Sequence, residues 1–161
     1  GLGAVPKDPH KHLPTVDLDW SAMRAVHLPP FIQAIAADVA MVMSSHVCYP
    51  QLEGRPGLPA TFSPRLIRTL LREELGFGGV IVSDDMEMGA LRGLCSIGEA
   101  SVLALEAGHD LLLICNSLDA QREAFQALRA AYLSGRLSQE ALARSVERFS
   151  ALRRRVGLPG S

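Results

Sequence analysis

Two adjacent acidic residues, Asp84 and Asp85, directly follow a short apolar run at residues 79–83. Such a run is typical of a buried strand in a parallel sheet, and successive side chains of a strand point to opposite faces. Only one of the two carboxylates can therefore face a given site. A carboxylate fixed at a strand end can act as a nucleophile or as an electrostatic stabiliser. We assign that role to Asp84, and to Asp85 the role of a helix cap or a structural acid.

A second candidate pair, Asp8 and His10, lies in the polar loop at residues 7–12. In such a pair the carboxylate orients the imidazole and raises its basicity, which suits a general acid or base. On spacing alone a solvated polar loop is the favoured interpretation of these residues, and the catalytic pair is the alternative. His10 and His12 would hold a metal ion only with a third ligand, which the sequence does not indicate.

Three apolar runs, at residues 39–43, 79–83 and 110–115, are predicted to be strands, because each is too short for a core helix and lacks alternation. Helical patterns lie between and after them, at residues 30–35, 63–75, 102–107, 119–133 and 138–152. Strands that alternate with helices predict an α/β fold with a parallel sheet and right-handed crossovers. Three strands alone leave two open apolar edges. Further strands must come from elsewhere, or the chain is part of a barrel.

Polar residues follow each predicted strand, at the end where such folds place their sites. Residues 44–46 follow the first strand, the two acids follow the second, and residues 116–117 follow the third. His46 could line a pocket or be a buried structural residue. His27 and His109 stand in no motif and are interpreted as structural.

The composition fits one globular domain: the chain has 161 residues, of which 48% are hydrophobic and 20% charged, and a net charge of −1. This balance argues against nucleic acid or an acidic membrane as partner. No apolar run reaches the roughly 18 residues of a membrane span. Three cysteines without CxxC spacing predict free thiols rather than a disulfide framework or a zinc site. Reduced thiols and the lack of a leader at Gly1 favour the cytoplasm, although a leader could precede this chain.

Together these motifs resemble glycoside hydrolase family 3, in its β-N-acetylglucosaminidase branch. The signature at residues 79–88 and the run at residues 70–77 are the specific parts of the resemblance. Weaker matches extend it over nearly the whole chain. They lie at residues 1–3, 8–14, 43–50, 58–63 and 107–113.

The resemblance implies a retaining glycosidase that acts on β-linked N-acetylglucosamine, as in peptidoglycan fragments, with no metal or cofactor. Asp84 matches the family nucleophile, and His10, oriented by Asp8, matches the family's general acid/base. His46, Met88 and Asn116 fall where residues that line the sugar pocket are expected.

The family fold is a (β/α)8 barrel of about 250 residues or more. We therefore expect this chain to supply strands six to eight of a single catalytic barrel, over residues 1–161, with the N-terminal half elsewhere. The expected partners are the carbohydrate substrate and that N-terminal half. Two alternatives remain open at this point: a family 3 β-glucosidase or glycoside phosphorylase, and a non-catalytic half-barrel that acts by association.

Overall fold

The computed structural model describes residue 5 and residues 12–158, and its centre is a three-stranded parallel sheet. The strands β1 (Met41–Met43), β2 (Val80–Asp85) and β3 (Leu111–Leu113) lie in the order β1-β2-β3. The predicted α/β fold with a parallel sheet is confirmed. β1 and β3 are shorter than predicted, whereas β2 continues past residue 83 and includes both acids.

Helices connect and flank the strands. The α-helices are α1 (Trp20–Ala22), α2 (Pro29–Ala36), α3 (Pro50–Glu53), α4 (Ile97–Ala107), α5 (Leu118–Leu133) and α6 (Gln139–Arg155). Serine side chains cap the last three, since Ser96, Ser117 and Ser138 each accept a backbone N–H of the first turn. A 3-10 helix (Ala60–Phe62) and two π-helices (Met23–His27 and Arg65–Glu74) complete the set.

The helix predicted over residues 63–75 forms, but it is wider than an α-helix. The N–H of Leu75 donates to the carbonyl of Leu70, five residues back, at 2.9 Å. Its apolar face still packs on the sheet, because Ile67 and Leu71 join Ile81 of β2 in one buried cluster. The hydrophobic spacing therefore predicts which face is buried, while the hydrogen-bond pattern differs from the expected one.

The sheet is well covered on the helix side and open at its edges. Phe62, Met86, Ala100 and Ala104 form a second buried cluster, which packs against β3 through Leu112. Along the outer strand β1, however, the Met43 side chain is 50% exposed. Among the described residues β1 and β3 each pair with one neighbour only.

A buried carboxylate, Asp110, anchors the end of the sheet at which the strands begin. Its side chain is fully buried and forms ion pairs with Arg72 of the second π-helix (Arg65–Glu74) and with Arg148 of α6. It also accepts the backbone N–H of Ile81 at 2.8 Å and the hydroxyl of Ser145 at 2.7 Å. One side chain thus joins β2, β3, the π-helix and α6.

Within the described ranges, no helix combines the length and the apolar character that a membrane crossing requires.

Replacing Asp110 by alanine is expected to lower the free energy of unfolding by about 3–5 kcal/mol, because two guanidinium groups lose the carboxylate they share. Urea unfolding measures this loss. The matched control is Asp119→Ala, since Asp119 is an exposed acid that pairs with Arg122 on α5, and this change should have a far smaller effect. A comparable loss of stability in the two variants would contradict the anchoring role of Asp110.

Candidate active site

A change of register in β2 determines how the two acids are presented. Val82 pairs with Leu111, but the next pair along the sheet is Asp85 with Leu113, so three steps on β2 match two on β3. This is a β-bulge with one extra residue, a feature that re-aims side chains near active sites. At the bulge the N–H of Leu113 donates to the side-chain hydroxyl of Ser83 at 3.1 Å.

Asp84 lies at this bulge, half-buried, at the carboxyl end of β2. Its Oδ1 accepts the backbone N–H of Asp85 at 2.9 Å. Its Oδ2 accepts no hydrogen bond from any residue in the described part of the chain. Asp84 lines a cavity of about 610 Å³ together with Ser44, Ser45 and Tyr49. One carboxylate oxygen is therefore held by the backbone, and the other has no hydrogen-bond partner within the described ranges.

Asp85 has a structural role, which is one of the two alternatives that the sequence left open. Its Oδ1 accepts the backbone N–H groups of Glu87 at 3.1 Å and Cys115 at 3.3 Å, and its Oδ2 accepts the side-chain amide of Asn116 at 3.3 Å. The residues that follow it form turns, so Asp85 caps no helix. Its carboxylate ties the loop after β3 to the end of β2.

His46 is fully buried, and both of its ring nitrogens are hydrogen-bonded. Nε2 lies 3.0 Å from the carbonyl oxygen of Asp85, and Nδ1 lies 2.6 Å from the hydroxyl of Thr61. A carbonyl can only accept, so Nε2 carries the proton, and the neutral ring accepts at Nδ1. Burial lowers the pKa of His46, although the bond to the Asp85 carbonyl and the charges of Asp84 and Asp85 oppose this shift.

The two other residues predicted to line the sugar pocket also lie at this end of the sheet. Asn116 is exposed, and its backbone N–H donates to Glu87 at 2.6 Å. Met88 is buried, and its N–H donates to the carbonyl of Asp85 at 3.0 Å. Their contacts with a sugar stay predictions.

Asp8 and His10 lie outside the described residues. The segment that follows them pairs with the loop after β1: the N–H of Cys48 donates to the carbonyl of Pro14, and the N–H of Val16 donates to the carbonyl of Cys48, both at 2.9 Å. Among the described residues, no three His, Cys, Asp or Glu side chains are grouped so that they could hold a metal ion.

Sequence reasoning gives no role to Ser83, Thr61 and Glu87, yet each holds part of the site. Glu87 accepts the backbone N–H groups of Asn116 and Ser117 and so fixes the start of α5. Glu87 lies within the specific signature at residues 79–88, two residues after Asp85, and this position is the one sequence feature that could have pointed to it. Nothing in the sequence indicates that Thr61 meets His46, because 15 residues separate them.

His109 is structural, as interpreted from the sequence, and it stabilises the end of β1. Its ring is buried, Nδ1 donates to the carbonyl of Ala104 at 2.9 Å, and Nε2 accepts from the hydroxyl of Ser44 at 2.8 Å. Burial, as the largest cause, lowers the pKa of His109 to about 4. The neutral ring is the form that fits these two partners.

Comparison with known proteins places these features in context. The model of the glycosyl hydrolase family 3 N-terminal domain matches residues 1–152. A β-hexosaminidase of Neisseria meningitidis is 39% identical over 119 residues, which are 74% of this chain and 32% of that protein. A β-hexosaminidase of Methylobacillus flagellatus is 34% identical over 119 residues, 74% of this chain and 33% of that protein. The chain thus spans about a third of the length of these curated relatives.

Among solved structures, the chain is similar to a glycoside hydrolase family 3 β-N-acetylglucosaminidase from a Paenibacillus strain. The two are 44% identical and superpose with a TM-score of 0.93. The match covers 96% of this chain and 29% of that chain.

The lowered pKa of His109 makes stability depend on pH. The unfolded chain binds a proton at His109 near pH 6.5, whereas the folded chain does so near pH 4, so stability is complete above pH 6.5 and falls as the pH drops towards 4. Complete protonation of His109 is expected to lower the free energy of unfolding by about 3 kcal/mol. In His109→Asn, which keeps a donor for Ala104 and cannot titrate, the loss of unfolding free energy between pH 7 and pH 4.5 should be smaller. Urea unfolding at both pH values tests this, and identical losses in the two proteins would refute it.

Proposed function

This chain belongs to glycosyl hydrolase family 3, and from that premise we propose that it is part of a retaining β-N-acetylhexosaminidase that hydrolyses terminal β-linked N-acetylglucosamine. The observation that carries the proposal is Asp84: a carboxylate at the carboxyl end of the central strand that lines a cavity, and of which one oxygen accepts the backbone N–H of Asp85. The names of the similar proteins, β-hexosaminidase and β-N-acetylglucosaminidase, support the substrate class. Glycans of the peptidoglycan type are the proposed source of that substrate.

In the proposed reaction, Asp84 Oδ2 attacks the anomeric carbon as the bond to the leaving oxygen breaks, and a covalent glycosyl-enzyme forms. His10, oriented by Asp8, gives its proton to the leaving oxygen and then takes one from the water that releases the sugar. The bond from the Asp85 N–H to Oδ1 keeps the carboxylate plane fixed during both steps. Fixing the reacting group in this way removes an entropic cost from the barrier.

The position of the segment after His12 supports the role of the Asp8–His10 pair. Pro14 and Val16 are hydrogen-bonded to Cys48, which lies in the loop after β1. That loop leaves the sheet at the same end as Asp84. The polar loop at residues 7–12 thus directly precedes, along the chain, a segment that is hydrogen-bonded at the end of the sheet where the chemistry is proposed.

We further propose that β1, β2 and β3 are strands six to eight of a (β/α)8 barrel. The cavity that Asp84 lines extends along β1, where its walls are apolar side chains of β1, α2 and the second π-helix, including Val42, Phe31 and Leu70. We assign this apolar part to a preceding strand, which leaves the part at Asp84, Ser44 and Ser45 for the sugar. Phe125 on α5 is 68% exposed, and Val146 on α6 is 64% exposed. Both are typical of helix faces that neighbouring parts of a larger domain cover.

The proposed partners are therefore the carbohydrate substrate and the N-terminal part of the same barrel. By this account the isolated chain has no turnover, because the sugar site needs groups from the missing strands. The cytoplasmic location inferred from the sequence remains part of the proposal.

The test uses a chimera in which this chain replaces the matching segment of the Paenibacillus enzyme. The chimera is expected to hydrolyse 4-nitrophenyl β-N-acetylglucosaminide, and Asp84→Asn should reduce that turnover by at least about a thousandfold because the nucleophile is lost. Asp119→Asn, a change of the same type on the surface of α5, is the control and should leave turnover unchanged.

Turnover that survives Asp84→Asn would contradict the assignment and favour a non-catalytic role for this segment. The product also discriminates among enzymes: in phosphate buffer, N-acetylglucosamine is expected, and N-acetylglucosamine 1-phosphate as the main product would favour a phosphorylase.

A second prediction concerns His10. Nitrophenolate leaves without much help from an acid, whereas the alcohol of a natural glycosidic linkage needs a proton. His10→Ala is therefore expected to slow hydrolysis of a β-linked N-acetylglucosamine disaccharide about 10- to 100-fold more than hydrolysis of the nitrophenyl substrate. Comparing kcat/KM for the two substrates in the chimera measures this ratio, and an equal effect on both would exclude His10 as the acid.

A further inference from the structure

We propose that His46 is a positioning residue for Asp84, acting through the backbone of Asp85 and not by touching the sugar. This inference rests on the proposed function, because it concerns how the nucleophile of that reaction is aimed. It starts from one hydrogen bond, from His46 Nε2 to the carbonyl oxygen of Asp85 at 3.0 Å.

The bulge is what makes this bond important. The ladder between β1 and β2 ends where the N–H of Ser44 donates to the carbonyl of Val82 at 2.9 Å. Beyond that point, the backbone that carries Asp84 has no strand donor from β1 among the described residues. The carbonyl of Asp85 lies in this region and accepts two hydrogen bonds, of which the one from Met88 comes from the turn that directly follows β2. The bond from His46 is therefore the one that ties this carbonyl to a different segment of the chain.

Thr61 makes the arrangement specific. Its hydroxyl lies 2.6 Å from Nδ1 and 3.4 Å from the carbonyl oxygen of Ser45, and its single proton can go to only one of them. Because Nε2 donates to the Asp85 carbonyl, the neutral ring accepts at Nδ1, and we place the Thr61 proton in this shorter contact. Thr61 is itself fully buried in the 3-10 helix, so the hydroxyl is fixed. The contacts run from Thr61 through His46 to the Asp85 carbonyl, which belongs to the peptide between Asp85 and Met86. That peptide is separated from the peptide that joins Asp84 to Asp85 only by the α-carbon of Asp85, so His46 holds the backbone next to the nucleophile.

A direct sugar contact does not fit this geometry. The His46 side chain has no exposed surface, and both nitrogens are already used. His46 also does not line the cavity that Asp84 faces. Its effect on the reaction must therefore pass through the position of the nucleophile, and a displacement of the order of 1 Å there costs about a hundredfold in rate.

The test compares His46→Gln with His46→Asn in the active chimera. The glutamine amide reaches the position of Nε2 and can donate to the Asp85 carbonyl, whereas the asparagine amide reaches only the position of Nδ1. His46→Gln is expected to keep kcat within a few-fold of the parent, and His46→Asn to lower kcat by about 10- to 100-fold with little change in KM. Rates are taken per folded molecule, from unfolding curves recorded in the assay buffer.

Equal kcat values for the two variants would overturn the proposal, because a residue that only fills space gives no such difference. If neither variant folds, ¹⁵N spectra of the parent decide: the Nε2–H tautomer supports the proposal, and the Nδ1–H tautomer or an imidazolium at pH 7 overturns it. An inactive parent chimera would instead count against the proposed function, and the spectra remain readable in that case.

Discussion

One extra residue in the central strand determines the architecture of the candidate site. The register change between Val82 and Asp85 sets two residues of β2, Ser83 and Asp84, against one residue of β3, Leu112. With it, Asp84 lines the cavity while the carboxylate of Asp85 turns to the loop after β3. The two residues therefore have different surroundings and hydrogen-bond partners, although their side chains are chemically identical.

At the bulge, side chains from two segments, β2 and the loop after β1, form hydrogen bonds with backbone groups. Ser83 accepts the N–H of Leu113, Asp84 accepts the N–H of Asp85, and His46 donates to the Asp85 carbonyl. At the other end of the sheet, Asp110 and its two arginines hold the strands in place. The ion pairs thus lie at the end where the strands begin, and the bulge lies at the end where β2 stops. This arrangement is consistent with a fold that places stabilising residues at one end of the strands and reactive residues at the other.

Much of this fold could be predicted from the sequence, because its signals are local. The three apolar runs contain the strands, and the last helix begins next to Ser138 as the pattern at residues 138–152 predicts. The extension of β2 through Asp85 could not be predicted, because a polar residue after an apolar run usually marks the strand end. The bulge, the pairing of Thr61 with His46 and the wide helix at residues 65–74 depend on tertiary contacts, which no single segment encodes.

The central claim is that Asp84 forms a covalent bond to the sugar, and trapping that intermediate tests it most directly. The active chimera would be incubated with a fluorinated β-N-acetylglucosaminide that forms the glycosyl-enzyme faster than water removes it, then digested and mapped by mass spectrometry. The account predicts one added sugar, attached to Asp84 in the peptide that spans residues 80–88. A sugar attached to Asp85 or to any other residue, or active enzyme that accumulates no adduct, would contradict it.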